Sequence, residues 1–421
     1  MVLNRGFVGP RNKVSLAISI FESANVLERS QQLCGSRALN KLNHQTGAKV
    51  IDATAVFAAS RYTETGPGVL DDGLWAQLRR LVIERLVKLY SRDRPHAMTN
   101  LLRSLRGRFD WRGSPVKRYR TALKYIIRAL CMPRQHDAYL AFVFDHPRMS
   151  AYQRRDPRVL ERHFHRYLHR QWDRQARLTS IRQYYQFAIT RLPGVLFEAI
   201  YIYGNATLGS LTLKDGSQLK LCLRPPIFYG SEGELCIQLS DANDHPVYRI
   251  ILSVIDDQQT VAIGCIQGPD GENSKDTVRD MTKNMYGMRP KQLMLSLAYA
   301  FAQHFGIQRI LAISNAAHPL RRVRDKFQAD YDSFWQEQKG EDMGNGWFLL
   351  PETLSRKSES EVSSQHRSAF RRREALRIEA EQMLAEALES FPAHRTRVPT
   401  EEAVELEPSS RHDHLDASCI R

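Results

Sequence analysis

The chain has 421 residues, of which 42% are hydrophobic and 25% charged, and it carries a formal net charge of +15. This composition is ordinary for a globular protein of two or three domains, and no apolar run approaches the roughly 20 residues of a membrane-spanning helix. The six cysteines include no CxxC pair, and the apolar stretch Val14–Phe21 is short and lacks a clear cleavage site. We therefore expect a cytoplasmic protein without a signal peptide.

The first part of the chain divides into two regions. Residues 1–70 are mixed in composition and are interpreted as an N-terminal extension of uncertain order. Residues 71–195 are predicted to be mostly helical, because apolar residues recur at helical spacing and prolines separate the segments. Two of these predicted helices cover 158–178 and 179–192.

Basic residues concentrate in this helical region. Between Arg79 and Arg182 there are 26 Lys and Arg against 8 Asp and Glu, a local excess of 18 positive charges. Such a block attracts nucleic acid, an acidic lipid surface or an acidic protein, whereas solvated helix faces are the simpler explanation. The interleaved aromatic residues suit a membrane surface or single-stranded nucleic acid. No motif indicates sequence-specific recognition of nucleic acid.

Two histidines in this region have the spacing of a metal site. His165 and His169 would share one face of a predicted helix, as zinc ligands can. No Glu follows His165 as the metalloprotease motif requires, and Arg162, Arg166 and Arg170 would repel a cation. The sequence therefore predicts no metal site here.

Residues 196–351 are predicted to form a mixed, mostly antiparallel sheet. In four segments between residues 216 and 268, apolar and polar residues alternate with period two. Turn signals separate these segments, which predicts an antiparallel meander. An apolar helix then runs from Pro290 to a stop at Gly306. The following strand, Ile307–Ser314, is expected to pair in parallel, as long helical connections commonly do.

The composition changes again after the sheet. Residues 352–391 are predicted to contain a charged helix, and residues 392–421 are predicted to be a disordered tail. The predicted fold class is therefore α+β, with a basic helical N-terminal region followed by the mixed sheet.

The turn before the Pro290 helix is a candidate anion site. A helix N-terminus offers free N–H groups and the positive end of the helix dipole. Tyr286, Gly287, Arg289 and Lys291 would surround a phosphate or carboxylate there. In the alternative interpretation, Gly287 only supplies a turn conformation and Arg289 makes a local salt bridge.

Polar residues follow the strand Ile307–Ser314, at the strand end where open α/β sheets bind ligands. His318 is a candidate general base, and Asn315 would contact the ligand or cap the next helix. Asp330 and Tyr331 are a candidate proton acceptor and proton donor. Packing of Tyr331 and pairing of the acids with nearby arginines are the alternatives.

Several motifs are shared with a known family. CIQGP, YGMRPK, GIQRILAISNAAH, ADYDSFW and RSAFRRRE together resemble the bacterial VirK/YbjX family of uncharacterised proteins, over about Leu74 to Leu388. The resemblance implies a Gram-negative protein associated with virulence and with tolerance of envelope stress such as antimicrobial peptides. It attaches no reaction to any of these motifs.

The order of meander, turn, apolar helix and buried strand is similar to the acyl-CoA-dependent N-acyltransferase fold of the GNAT type. In that fold a loop of pattern Arg/Gln-x-x-Gly-x-Gly/Ala holds the cofactor pyrophosphate. Asn284–Arg289 takes its place here, and only Gly287 matches. The resemblance implies acyl-CoA as cofactor, His318 or Asp330 as proton acceptor, and Tyr331 as the acid that protonates the leaving thiolate.

Two hypotheses about function remain open at this stage. The first is an acyltransferase or a binder of a CoA-like, phosphate-bearing ligand. The second is a non-enzymatic envelope-stress factor whose basic helical region binds acidic lipid, RNA or a protein partner. Binding to acidic lipid would place the protein at the periphery of the inner membrane.

Overall fold

The computed structural model describes residues 95–227, 230–269, 274–321 and 330–392, and the chain divides after Leu140 into two compact units. The predicted extension at 1–70, the beginning of the predicted helical region at 71–94 and the tail from 393 onwards lie outside the described residues.

The described elements confirm an α+β fold. The helices are α1 (Pro95–Ser104), α2 (Pro115–Leu130), α3 (Pro133–Asp145), α4 (Pro147–Arg155), α5 (Arg174–Arg191), α6 (Gly194–Phe197, continued by a π-helical turn at Glu198–Ile202), α7 (Ser274–Asn284), α8 (Pro290–His304), α9 (Tyr331–Glu337) and α10 (Arg367–Glu389). The strands are β1 (Ala206–Thr212), β2 (Gln218–Arg224), β3 (Leu235–Ser240), β4 (Pro246–Ile255), β5 (Thr260–Gln267), β6 (Arg309–Ile313), β7 (Glu341–Asp342) and β8 (Trp347–Leu349).

Prolines and caps set the helix starts in the first unit. The helices α1, α2 and α3 each begin at a proline, which has no N–H to leave unpaired and a backbone angle suited to the first helical position. The hydroxyl of Ser114 caps α2 by accepting a hydrogen bond from the Lys117 N–H at 3.3 Å. The buried face of α2 carries Tyr125, whose hydroxyl donates to Ser104 at 2.7 Å and lies 2.9 Å from His136 Nε2.

The predicted helix over 158–178 is wrong for most of its length. The chain instead forms two 3-10 turns, Pro157–Leu160 and Arg162–Phe164, followed by an irregular segment. A regular helix starts only at α5, where the Asp173 carboxylate accepts a hydrogen bond from the Ala176 N–H at 2.8 Å. His165 and His169 therefore do not share a helix face.

The second unit contains one sheet with the strand order β1-β2-β3-β4-β5-β6-β8-β7. The pairs are antiparallel except β5–β6, which is parallel. The predicted mixed, mostly antiparallel sheet is thus confirmed. The long connection between β5 and β6 contains α7 and α8, as a parallel crossover requires.

The parallel pair opens part-way along β5. Its pairing runs from Thr260 opposite Arg309 to Ile263 opposite Ala312, whereas β5 continues to Gln267. A bulge lies at the opening, because Gly264 is skipped in the register between β5 and β4. The carboxyl ends of two parallel strands therefore separate here, which is the place where α/β sheets accept ligands.

Buried helices position this region. α8 is apolar on nearly all sides, with ten of its residues buried, and it packs against β4, β5 and α10. α5 also packs against β4. Among the helices that the structure describes, none is both long and apolar enough to cross a membrane.

Candidate functional site

Four polar side chains meet at the opening between β5 and β6. They are Glu232, Cys265, His318 and Tyr331, which are 4%, 2%, 1% and 4% exposed. Cys265 lies on β5 just beyond the last parallel pair, and His318 follows β6. Tyr331 is the first residue of α9. Buried groups of this kind are uncommon unless they are paired, so their partners decide what they can do.

Glu232 reaches the cluster from the loop between β2 and β3. The backbone N–H of Leu168 donates to Ser231 O at 2.7 Å and anchors this loop. The loop backbone also presses against β5, since an ideal Cβ on Gly264 would lie 1.8 Å from Glu232 O. A glycine at 264 is therefore required for the loop to approach this closely.

His318 and Glu232 form a buried ion-pair contact. His318 Nε2 lies 3.1 Å from Glu232 Oε1, and the Leu320 N–H donates to His318 Nδ1 at 3.2 Å. Because Nδ1 accepts a hydrogen bond from the backbone N–H, the ring proton of the neutral tautomer belongs on Nε2, facing the carboxylate. The ring thus faces the Glu232 carboxylate at close range.

Tyr331 and Cys265 complete the cluster. The Tyr331 hydroxyl lies 3.3 Å from Cys265 Sγ and 3.4 Å from Ile266 O, and its ring stacks on His318. Burial, with Cys265 and Glu232 adding to it, raises the pKa of Tyr331 well above its ordinary value. Burial and the charge of Glu232 likewise raise the pKa of Cys265. Both groups are therefore protonated at neutral pH, so the phenol is a proton donor and the thiol is a poor nucleophile.

A network of hydrogen bonds made by Asn315 holds Tyr331 at the end of β6. Asn315 Oδ1 accepts from the Tyr331 N–H at 2.9 Å, Asn315 Nδ2 donates to Asp330 Oδ1 at 3.2 Å, and the Asn315 N–H donates to Asp332 at 2.7 Å. Asp330 caps α9, and its hydrogen bonds to Ser333 lower the pKa of that carboxyl. Asn315 and Asp330 therefore lie beside Tyr331, and their side chains make the hydrogen bonds that hold the start of α9 in place.

The residues predicted at the start of α8 lie against α9. Tyr286 and Gly287 both have positive φ angles, 53° and 85°, and the Gly287 N–H donates to Thr282 O at 2.8 Å, which ends α7. The Arg289 guanidinium pairs with Glu337 of α9.

Lys291, the other cation at this helix start, contacts the same helix. Its Nζ lies 5.3 Å above the Phe334 ring of α9. Burial and the charge of Arg289 lower the pKa of Lys291. The two cations predicted to bind an anion therefore both have partners on the helix that begins at Tyr331.

Two members of the cluster, Glu232 and Cys265, were not among the residues predicted from sequence to form a site. Glu232 lies in the segment GSEGE between two strands, where charge and glycine indicate an ordinary exposed turn. The available signal was a carboxylate surrounded by glycines close to an apolar strand. Cys265 lies in a buried strand pattern that does not distinguish it from a small apolar residue.

A second buried network holds the other carboxylate of the same loop, Glu234. Arg162 is 2% exposed and donates to Glu234 and to the Tyr185 hydroxyl, and it contacts Asp156 at 3.3 Å. Burial raises the pKa of Glu234 to about 7, against the opposing effects of Arg162 and Tyr185. Arg162 and Tyr185 both donate to Glu234 Oε2, whereas Arg162 Nε and Glu234 Oε1 make no hydrogen bond within the described residues. The paired charges suit a structural role.

Comparison with known proteins gives a family match. A model of the family described as "Protein of unknown function (DUF535)" matches residues 115–386. The uncharacterized protein YbjX of Escherichia coli K12 is 29% identical over 257 residues, 59% of this chain and 78% of that protein. An uncharacterized protein of Haemophilus influenzae is 28% identical over 199 residues, 47% of this chain and 66% of its own length. Membrane protein LapB of Mannheimia haemolytica is 36% identical over 67 residues, 16% of this chain and 29% of that protein. No solved structure matches the chain.

Proposed function

The chain belongs to the DUF535 family of proteins of unknown function, and we propose that it is an acyltransferase that moves an acyl group from acyl-CoA to an amine. The observation that carries this proposal is the parallel β5–β6 pair, which opens beside a buried carboxylate, imidazole, thiol and phenol. The match with YbjX supports the predicted family resemblance and leaves the reaction as a proposal.

The arrangement of strands supports this reaction class. An antiparallel meander, β1 to β5, is followed by one parallel crossover and a final antiparallel pair in which β8 lies between β6 and β7. A meander followed by a turn, an apolar helix and a buried strand is the feature on which the resemblance to the acyltransferase fold rests. Fold alone does not define a reaction, so the proposal depends on the side chains at the opening.

Those side chains have complementary proton-transfer roles. The amine nitrogen attacks the thioester carbonyl carbon, a C–N bond forms and the C–S bond breaks. The Glu232–His318 pair takes the proton that the amine loses, because its carboxylate and imidazole lie 3.1 Å apart at the opening. Tyr331, which burial keeps protonated, gives its proton to the leaving CoA thiolate. Cys265 stays a thiol, so transfer is direct, without an acyl-cysteine intermediate.

Titration of the purified protein with acyl-CoAs tests the proposal. We expect acetyl-CoA or a longer acyl-CoA to raise the melting temperature, and amine-dependent release of free CoA thiol to follow. Glu232→Gln and Tyr331→Phe should keep the thermal shift and lose thiol release. The melting temperature with adenosine 3′,5′-bisphosphate, which has no acyl arm, shows whether the phosphate-bearing part of the cofactor binds without that arm. A melting temperature that no acyl-CoA raises would contradict the proposal.

A specific observation favours a second function, binding to an acidic lipid surface through α2. On this helix Val116 is 63% exposed and Leu123 is 40% exposed, and Phe109, six residues before the helix, is 54% exposed. Positions 116 and 123 share a helix face opposite the buried face, which carries Ala122, Tyr125 and Ala129. The helix contains no acidic residue and five basic residues: Lys117, Arg118, Arg120, Lys124 and Arg128. An exposed apolar stripe bordered by cations suits anionic headgroups over an apolar layer.

Vesicle co-sedimentation tests this second function. We expect binding to phosphatidylglycerol-containing vesicles that weakens with salt, and no binding to pure phosphatidylcholine. Val116→Ser with Leu123→Ser should weaken binding. Ile378→Ser, at a 45% exposed position of α10, is the matched control and should not. Equal binding by both variants would contradict the assignment to α2.

A further inference from the structure

A pair of arginines lies on the same sheet face as Cys265. In the register of the sheet, Arg224 of β2 is opposite Cys236, Cys236 is opposite Ile251, and Ile251 is opposite Cys265. Residues that are directly opposite point to the same face of a sheet, so Arg224 and Cys265 share one face.

The second arginine, Arg249, lies on the same face in the adjacent set of paired residues. Gln238 of β3 is opposite Arg249 of β4, and Arg249 is opposite Gln267 of β5. Gln238 lies two residues from Cys236, as Arg249 does from Ile251, and side chains two residues apart in a strand share a face. The two arginines therefore flank Gln238 on three consecutive strands.

Both guanidinium groups converge on one amide oxygen. Arg249 Nε lies 3.0 Å from Gln238 Oε1, and Arg224 Nη1 lies 3.5 Å from the same atom. Gln238 is 2% exposed, and its Nε2 donates to Ser240 Oγ at 2.8 Å, which fixes the oxygen toward the arginines. Arg224 Nε is buried and makes no hydrogen bond within the described part of the chain.

Within the described residues, these two arginines have no carboxylate partner. The buried arginines Arg108 and Arg162, by contrast, have the carboxylate partners Asp110 and Glu234. Among the described residues, no carboxylate lies within salt-bridge distance of Arg224 or Arg249. Two permanent positive charges that share one neutral acceptor repel each other, and a planar guanidinium fork is complementary to a carboxylate or phosphate.

We propose that Arg224 and Arg249 bind a carboxylate or phosphate group of the acceptor substrate, with Gln238 holding the two guanidinium groups in place. Arg249 lies opposite Gln267, two residues along β5 from Cys265, so the anion would be held about 7 Å along the strand from the reactive cluster. The identification of the ligand as the acceptor rests on the proposed acyl transfer. Binding of an anion between the arginines stands without it.

The test uses inorganic phosphate and, in a separate series, succinate, each at constant ionic strength, with the full-length protein. We expect either anion to raise the melting temperature of the wild type. The rise should be lost in Arg224→Gln and Arg249→Gln. It should persist in Lys220→Gln, a variant four residues before Arg224 on β2. The anion that gives the larger shift identifies the class of ligand.

A nearly isosteric variant keeps the test informative if the arginine variants fold poorly. Gln238→Glu supplies a carboxylate between the two arginines, so we expect a higher melting temperature in buffer alone and no further rise with either anion. A wild type that neither anion stabilises, or a rise that Gln238→Glu retains, would overturn the proposal. Neither result involves CoA, so the anion site and the acyl-transfer reaction can fail separately.

Discussion

The backbone carbonyl of Glu232 lies 1.8 Å from the position that a Cβ on Gly264 would occupy. Real Cβ atoms do not approach a backbone oxygen this closely, so the loop and the strand can pack only because residue 264 has no side chain. The contact is made at the bulge where β5 separates from β6. The same contact places the Glu232 carboxylate beside His318.

Gly264→Ala should therefore displace the Glu232 loop. Since the obstacle is backbone and not a flexible side chain, we expect a loss of about 1–3 kcal/mol in the free energy of unfolding, the range for overpacking. Urea unfolding of the variant and the wild type measures this loss. The matched control is Gly209→Ala on β1, where the added Cβ would meet the flexible Met383 side chain at 2.8 Å, and where we expect a smaller loss. Equal effects of the two variants would contradict the requirement for glycine at 264.

Arg162 should be among the residues whose loss costs most stability. Its removal leaves Glu234 buried at 0% exposure without its cationic partner, and breaking one side of a buried pair costs about 3–5 kcal/mol. We expect Arg162→Ala to lower the free energy of unfolding by that amount in urea denaturation. Arg170→Ala, at an exposed position eight residues later, should change it by less than about 0.5 kcal/mol. A small loss for Arg162→Ala would show that Glu234 finds another partner or takes up a proton.

Tyr331→Phe separates chemistry from packing at the site. The hydroxyl contacts Cys265 Sγ and Ile266 O, so its removal should lower the free energy of unfolding by about 1 kcal/mol. Under the proposed mechanism, losing the proton donor lowers acyl transfer by about 10²–10⁴-fold. Tyr299→Phe removes a comparable hydroxyl, which donates to Pro351 O at 2.7 Å, and should leave the rate unchanged. A Tyr331→Phe enzyme with wild-type turnover would remove Tyr331 from the mechanism.

The pH dependence of the first unit should follow His136. Burial, with the charge of Arg108 adding to it, lowers the pKa of His136 from 6.5 to about 3. The unfolded state therefore binds more protons between these values, so the free energy of unfolding falls as the pH falls from about 6.5 toward 3. The slope approaches about 1.4 kcal/mol per pH unit. Urea titrations at several pH values measure it.

A histidine variant isolates this contribution. His136→Gln keeps an amide beside the Tyr125 hydroxyl, which lies 2.9 Å from His136 Nε2, and should flatten the slope in this pH window. His366→Gln, at an exposed position before α10, should leave the slope unchanged. An NMR titration in which the His136 ring gains its proton near pH 6.5 would contradict the prediction.

Regular elements of the second unit were predictable because their signals are local. The meander from β2 to β5 shows period-two alternation, and α8 starts at Pro290 and ends before Gly306 as the sequence indicates. The segment around Arg162 was not predictable in this way. Its apolar and basic residues have helical spacing, but its structure depends on Glu234, which is 72 residues away in the chain.

The candidate site was likewise predictable from the sequence only in part. His318 and Tyr331 were predicted as candidates because they follow a predicted strand, and both lie at the opening of the sheet, where their roles stay predictions. Glu232 was missed, since its burial depends on the close approach of Gly264 from another strand. The placement of Arg224 and Arg249 on one face was also not predictable from the sequence, because it depends on the register of β2 and β4 with β3. Long-range contacts of this kind leave little local trace in a sequence.

The salt bridge between Arg289 and Glu337 offers a direct test of the phosphate site predicted at the start of α8. Both side chains are about half exposed, at 43% and 47%, so the pair should contribute less than about 1 kcal/mol to stability. Glu337→Gln would release the Arg289 guanidinium from its carboxylate while leaving the fold intact. If Arg289 binds the cofactor phosphates, this change should tighten binding of acetyl-CoA, and Arg289→Gln should weaken it.

Isothermal titration of the two variants and the wild type with acetyl-CoA measures these opposite shifts, and we expect each to be severalfold in Kd. The matched control is Glu359→Gln, which breaks the exposed pair between Arg371 and Glu359 and makes the same change in net charge without touching the Arg289 pair. Because long-range electrostatic effects would alter both glutamine variants alike, only a local phosphate contact predicts tighter binding for Glu337→Gln alone. Identical Kd values for Glu337→Gln, Arg289→Gln and the wild type would show that Arg289 serves only as a partner for α9.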